Sequence, residues 1–287
     1  MNIDFFPLIV SAISCMVLIR FITPFAVNID LVDKPSQRKK HVGNIPLIGG
    51  ISMFIAIIIG LLTTQIDINQ QKNLLLAMMI VVGVGVLDDH RELSTKSRIL
   101  MHVIAAFVIV VLDDVVLNSL GWIFGPDEFK LYIWAVFFTV FSIIGVMNAI
   151  NMSDGIDGLS GSLSLITLLF ISYFSYISGQ IDYLMIALII CSPLIVFLLF
   201  NLGVFGSSKK IFMGDAGSIF LGFCFSSLII YSVTSQEISL LTWLVVFGYY
   251  LADTTTTTII RICLVKKWYG THRSHAYQNL ARIKDNH

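Results

Sequence analysis

The sequence predicts an all-α fold, a polytopic bundle of about nine membrane-spanning helices, each needing about 20 apolar residues, in one domain over residues 1–287. Three observations predict it. The chain is 56% hydrophobic and only 13% charged, with a mean hydropathy of +0.88; soluble domains carry roughly a quarter charged residues. Its apolar residues come in runs long enough to cross a bilayer as helix. No long linker, low-complexity tract or internal repeat divides the chain.

The runs fall at 5–27, 46–64, 73–87, 98–116, 131–147, 159–177, 183–200, 217–235 and 239–264. The first lacks a basic lead-in and a small-residue cleavage site, so it reads as a retained helix rather than a signal peptide. The third is the shortest. The ninth carries Asp253 and then five threonines, Thr254 to Thr258. Threonine hydroxyls bond back to the i−4 carbonyl and bend helices, so this helix is expected to bend there and bring Asp253 toward a site. Cys15, Cys191, Cys224 and Cys263 are isolated in apolar runs and read as small core residues.

Charge sets the orientation. With nine spans, fifteen of the eighteen Lys and Arg fall on one side and two, Lys72 and Lys130, on the other. The basic side is cytoplasmic by the positive-inside rule, which puts the N-terminus outside and the C-terminus inside. A net charge of +0 gives no reason to expect nucleic acid. The polar stretches VDKPSQRKKHVGNIPLIGG, VLDDHRELSTKSR, NAINMSDGIDGLSG, NLGVFGSSKKIFMGDAGS and THRSHAYQ all fall on the cytoplasmic side. The outer loops are plain by comparison.

That face pools the carboxylates of Asp88, Asp89, Asp154, Asp157, Asp215 and Asp253 with the bases Lys34, His41, His272, Arg273 and His275. Carboxylates with few soft ligands suit a hard divalent cation shared with phosphate. The glycines among them let backbone N–H groups approach a ligand, and helix N-termini opening at Gly-Asp steps favour anions. Each element has a plain reading too. An acid pair is an ordinary helix end, Asp-Gly is ordinary turn chemistry, and Lys209–Lys210 and Arg38–Lys40 are topology signals. Asp154 and Asp157, three apart, would share a helix face. Five such stretches on one face point to phosphoryl transfer onto a membrane lipid.

The ordered set DKP…RKKH…IPLIGG, GVLDD, NAINMSDGIDGLSG and FMGDAGS resembles the polyprenyl-phosphate N-acetylhexosamine-1-phosphate transferases. These include the enzymes that initiate bacterial O-antigen, common-antigen and teichoic acid synthesis, with the phospho-MurNAc-pentapeptide transferase as a distant member. The resemblance covers about residues 30–280. It implies an Mg²⁺-dependent enzyme of the bacterial inner membrane, Mn²⁺ being an alternative ion. Such an enzyme transfers a HexNAc-1-phosphate from a UDP-N-acetylhexosamine to undecaprenyl phosphate and releases UMP. GlcNAc, QuiNAc, FucNAc and 4-amino sugars all remain open, and a homodimer is an allowed assembly.

Carried over by position, the resemblance implies that Asp215, with Asp88, ligates the metal. Asp88 and Asp89 lie close to the lipid phosphate. Asn148, Asn151, Asp154 and Asp157 belong to the nucleotide and metal site, Phe212 stacks near the uracil, and Lys34 and His41 face phosphate. Relatives also have an aspartate near the place of Asp253. The end of the chain departs from the family. Relatives carry a longer histidine run where this sequence has THRSHAYQ, leaving His272, Arg273 and His275 for the diphosphate. The competing class is an ion-coupled secondary transporter, which also places acids and glycines within membrane helices.

Overall fold

The computed structural model of the protein describes residues 3–35, 43–67, 71–121, 127–234 and 240–264. His41, His272, Arg273 and His275 lie outside the described residues. The chain runs through α1 (Phe6–Asn28), a short antiparallel ribbon of β1 (Val32–Asp33) and β2 (Ile45–Pro46), α2 (Gly49–Leu61), α3 (Lys72–Arg91), α4 (Thr95–Leu112), α5 (Ala135–Ser153), α6 (Leu159–Ile177), α7 (Ile181–Asn201), α8 (Gly214–Thr234), α9 (Leu240–Val246) and α10 (Gly248–Leu264). Among the described residues, α1, α3, α4, α5 with the turn before it, α6, α7 and α8 are long and apolar enough to cross a membrane. The all-α membrane bundle expected from the sequence is the fold observed.

A helix apolar on all sides has to be surrounded, and α8 is. Of its apolar window 89% is buried, and it packs on α3 and α5, with α2 and α6 completing its surroundings. On the outside of the bundle, α1 presents Ile9, Ile13, Val17 and Phe21 exposed at intervals of one turn, a stripe suited to lipid.

Two expected spans are corrected. The second, expected over 46–64, is helical only from Gly49 to Leu61. Its first residues are drawn into backbone pairing instead: Ile45 and Pro46 form β2, Leu47 bridges to Phe212, and Gly49 and Gly50 donate to the carbonyls of Phe212 and Met213 at 3.0 Å each. The ninth, expected as one helix over 239–264, is two helices that meet at Phe247. The break falls at Phe247, just before Gly248, a poor helix former, and not at the threonines. Thr255 does bond back to the Leu251 carbonyl at 2.5 Å, but the helix continues through it. Two other helices reach further than expected. The last turn of α3 carries Asp88 and Asp89, and α5 runs on through Asn148 and Asn151 to Ser153.

Candidate functional site at one end of the bundle

Small residues let three elements meet almost backbone to backbone. A Cβ on Gly50 of α2 would strike the backbone of Gly217, and one on Gly85 of α3 would strike the backbone of Ala216. The glycines of IPLIGG, GVGVLDD and GDAGS therefore bring the start of α8 against the end of α3. Here Gly217 serves helix packing, and so does Gly161, whose Cβ would meet Leu198. This corrects the expectation that these glycines admit a ligand.

The close approach sets the acids together. Gly214 takes φ +72°, a conformation glycine adopts at little cost, and turns the chain into α8. The first N–H groups of that helix have no intrahelical acceptor. Asp89 supplies one from α3: its Oδ1 accepts from the Asp215 N–H at 2.8 Å and its Oδ2 from the Ala216 N–H at 3.1 Å. Asp88, 5% exposed, accepts from the Leu93 N–H at 2.7 Å. Its other oxygen takes the Arg98 guanidinium at 2.9 Å. The same Nη1 lies 3.5 Å from Oδ2 of Asp215. Asn151 on α5 donates to Oδ1 of Asp215 at 2.8 Å and to the Ser218 hydroxyl at 2.9 Å. Four helices, α3, α4, α5 and α8, thus converge on Asp215.

The NMSDGIDG stretch divides. Asn151 faces the acids. Asn148 is exposed and donates to the Ile144 carbonyl of its own helix at 2.8 Å. Asp154 and Asp157 sit in the turn between α5 and α6, which corrects the expected shared helix face; α5 ends at Ser153. Asp157 pairs with Lys210 at 2.5 Å, away from Asp215. Asp154 makes no carboxyl hydrogen bond among the described residues. It is half-buried by surface area yet densely surrounded, and its carboxyl is pushed up to about 7, first by desolvation and then by the charges of Asp215 and Asp157. Asn201 fixes this turn by accepting from the Gly158 N–H at 2.7 Å and donating to the Ile211 carbonyl at 3.0 Å.

The remaining expected residues lie at the margins. Phe212 is half-buried, with its backbone paired to Pro46 and Gly49. Lys34 is exposed and pairs with Asp30, four residues back, at 2.5 Å. Asp253 is 7% exposed on α10, which packs against α5. Three contributors escaped the reading of the sequence. Arg98 and Lys210 were counted only as topology charges, and Asn201 ended an apolar run. For Arg98 the available signal was a cation in the first turns of the helix that follows Asp88–Asp89.

Oxygen donors of this kind suit Mg²⁺, which takes one or two carboxylates and fills its remaining positions with water and phosphate. Among the described residues no three Asp, Glu, His or Cys side chains form a ligand cage. The Asp88–Asp215 pair meets the smaller requirement, and the Arg98 guanidinium between them shows that the pair accepts positive charge. At the other end of the bundle the acid is tied differently: Asp113 accepts from Asn73 at 2.5 Å and from Tyr231 at 2.6 Å. The acids that gather do so at helix ends on one face, not midway along the helices, which disfavours the transporter reading.

Residues 72–233 match the family described as Glycosyl transferase family 4. The chain is similar to an undecaprenyl-phosphate alpha-N-acetylglucosaminyl 1-phosphate transferase of Salmonella typhi, 34% identical over 198 residues, covering 69% of this chain and 54% of the relative. The Haemophilus influenzae protein of the same description is 32% identical over 262 residues, covering 90% and 74%. That of Escherichia coli K12 is 31% identical over 203 residues, covering 71% and 55%. The chain spans about half the length of the Salmonella and Escherichia relatives. The match takes in Asp88, Asp89, Arg98, Asn151, Asp154 and Asp215, and the chain belongs to glycosyl transferase family 4.

Proposed function

We propose that the protein transfers a HexNAc-1-phosphate from a UDP-N-acetylhexosamine to undecaprenyl phosphate, releasing UMP, at the cytoplasmic face of a bacterial inner membrane. One observation carries the reading: Asp88 and Asp215, from two helices, are joined by a single guanidinium at one end of a membrane bundle. The names of the relatives supply the substrate class.

Asp88 and Asp215 would hold the divalent cation, Mg²⁺ or Mn²⁺. When bound, the cation neutralises diphosphate charge and orients the β-phosphorus. Asn151 fixes the rotamer of Asp215, and Asp89 fixes the helix start that carries it. Arg98, with a third of its side chain exposed, offers its free N–H groups to phosphate oxygens. The lipid phosphate needs no strong base, because its second pKa lies at roughly 6. An oxygen of that dianion attacks the β-phosphorus; one P–O bond forms as the bond to UMP breaks. Asp154, poised near neutrality, takes any residual proton. Both reactants are anionic, so holding them in line contributes much of the rate. Direct attack is the simpler course, since the lipid phosphate is already a competent nucleophile.

The test is to incubate purified protein with undecaprenyl phosphate, Mg²⁺ and, in turn, UDP-GlcNAc and other UDP-HexNAc donors, measuring UMP and lipid-linked sugar. UMP released in step with lipid product is the expected result. A folded protein that releases none with any donor overturns the proposal.

A further inference from the structure

His102 lies beside the acid pair and is used by nothing described so far. It stands on α4 four residues after Arg98, so the two side chains share a face one turn apart. It is 3% exposed, and neither ring nitrogen has a hydrogen-bond partner among the described residues. Its charged neighbours are Arg98 and Asp88, the two groups that pair with each other at 2.9 Å. A neutral imidazole offers one N–H and one lone pair. Leaving both idle in a buried place is unfavourable, and native structures seldom tolerate it without a reason.

The reason lies in what Arg98 does. Its Nη1 sits against Oδ2 of Asp88 and Oδ2 of Asp215, the oxygens that a divalent cation would take. Guanidinium and cation therefore compete, and a cation that enters must lift Arg98 from at least one of them. The imidazole one turn deeper has the matching chemistry. Its lone pair can accept a released guanidinium N–H, and its own N–H can donate to a carboxylate. We propose that His102 is a positioning residue that takes over Arg98 when a divalent cation occupies the Asp88–Asp215 pair. The guanidinium is thereby kept beside the cation and facing phosphate instead of swinging into solvent. This rests on the cation reading given above. The hydrogen bonds left unmade without the cation are made with it, so His102 favours the loaded site.

The test is Mn²⁺ binding to the full-length protein in detergent, without substrates, followed by the loss of the free-ion paramagnetic resonance signal, with melting of the metal-free protein alongside. His102→Leu is expected to weaken Mn²⁺ binding at least threefold and to leave metal-free melting unchanged or higher, because it removes orphaned polar atoms. His102→Gln, which can still accept and donate, stays within twofold of wild type. Arg98→Gln tightens Mn²⁺ binding by removing the competitor, and adding His102→Leu to it changes nothing further. If His102→Leu binds Mn²⁺ as wild type does, or weakens it equally with and without Arg98, or if His102→Gln is no better than His102→Leu, the proposal is wrong. Wild-type protein that binds no Mn²⁺ overturns the cation reading and the role of His102 with it. Wild-type binding that Asp88→Asn abolishes keeps the cation reading whatever His102 does.

Discussion

Asp89 stands next to Asp88 in sequence, yet its two oxygens are engaged by backbone N–H groups of α8 at 2.8 and 3.1 Å. It works as an N-cap supplied by another helix. A hydrogen bond to a charged group is worth roughly 1.5–3 kcal/mol net, and loss of a capping side chain about 0.5–2 kcal/mol. Two such bonds are lost and relief of the desolvated carboxylate offsets part of them, so Asp89→Ala should destabilise by about 2–3 kcal/mol, more than an ordinary cap. Asp89→Asn keeps one acceptor oxygen and should lose about half as much. Gly214→Ala attacks the same junction from the other side, because its Cβ would run into Asp89 Oδ2 at a backbone φ of +72°. The molecule carries its own reporter: Cys15, Cys191 and Cys224 are free and buried, so a thiol-reactive fluorogenic dye reads unfolding directly. At roughly 2–4 °C per kcal/mol, Asp89→Ala should melt about 5 °C or more below wild type, with Gly214→Ala at least as low. Asp89→Ala melting within a degree of wild type, with activity gone, would refute the cap and assign the carboxylate to chemistry.

Asp215→Asn keeps its backbone bonds to Asp89 but puts an amide where a cation should sit. The protein should melt normally and retain less than a tenth of wild-type turnover at any Mg²⁺ level. For Asp154 the pH dependence follows from the raised carboxyl. The folded group titrates at about 7 against roughly 3.9 unfolded, so the folded state holds the extra proton between these values. Stability of the metal-free protein should therefore fall as pH rises from about 4 through 7. Asp154→Asn should flatten that slope, as should added Mg²⁺, and melting curves across that range in a chelator test it.

Much of the fold was legible because apolar runs of bilayer length leave a chain few choices. What escaped were places where tertiary contact overrode the run. IPLIGG is as apolar as a helix start, but its backbone is claimed by Phe212 and Met213, which no local pattern reveals. The ninth helix looked most fragile at its threonines, whose back-bonding is real, yet the break came at Phe247, beside Gly248, which has no side chain to pack. At the site, the identity of the acids was legible and their division of labour was not. Asp88 and Asp89 are adjacent letters; one meets a guanidinium and the other a helix end, because successive residues on α3 point about 100° apart. Asp154 and Asp157 look equivalent in the sequence, but Lys210 has taken only the second.

Asp253 tests how far that division extends. It is buried on α10, and an ionised carboxylate in such a place is unfavourable by several kcal/mol unless something answers its charge. The neighbouring Tyr249 is close enough to feel that charge. On the same helix Tyr250 feels the charge of Asp154, and α10 packs against α5, which ends at the site. Through α5, Asp253 is expected to stand on a wall of the site. Thr255, two residues on, is exposed and bonded only within its own helix. Asp253→Asn should therefore lower turnover at least tenfold, about 1.4 kcal/mol in the barrier. Thr255→Val, which removes a hydroxyl that already faces its own backbone, should change turnover less than threefold. UMP release from the two variants at matched expression settles the comparison. An Asp253→Asn enzyme as fast as wild type would leave α10 as packing alone, and the acids of α3, of α8 and of the turn after α5 would have to account for the chemistry without it.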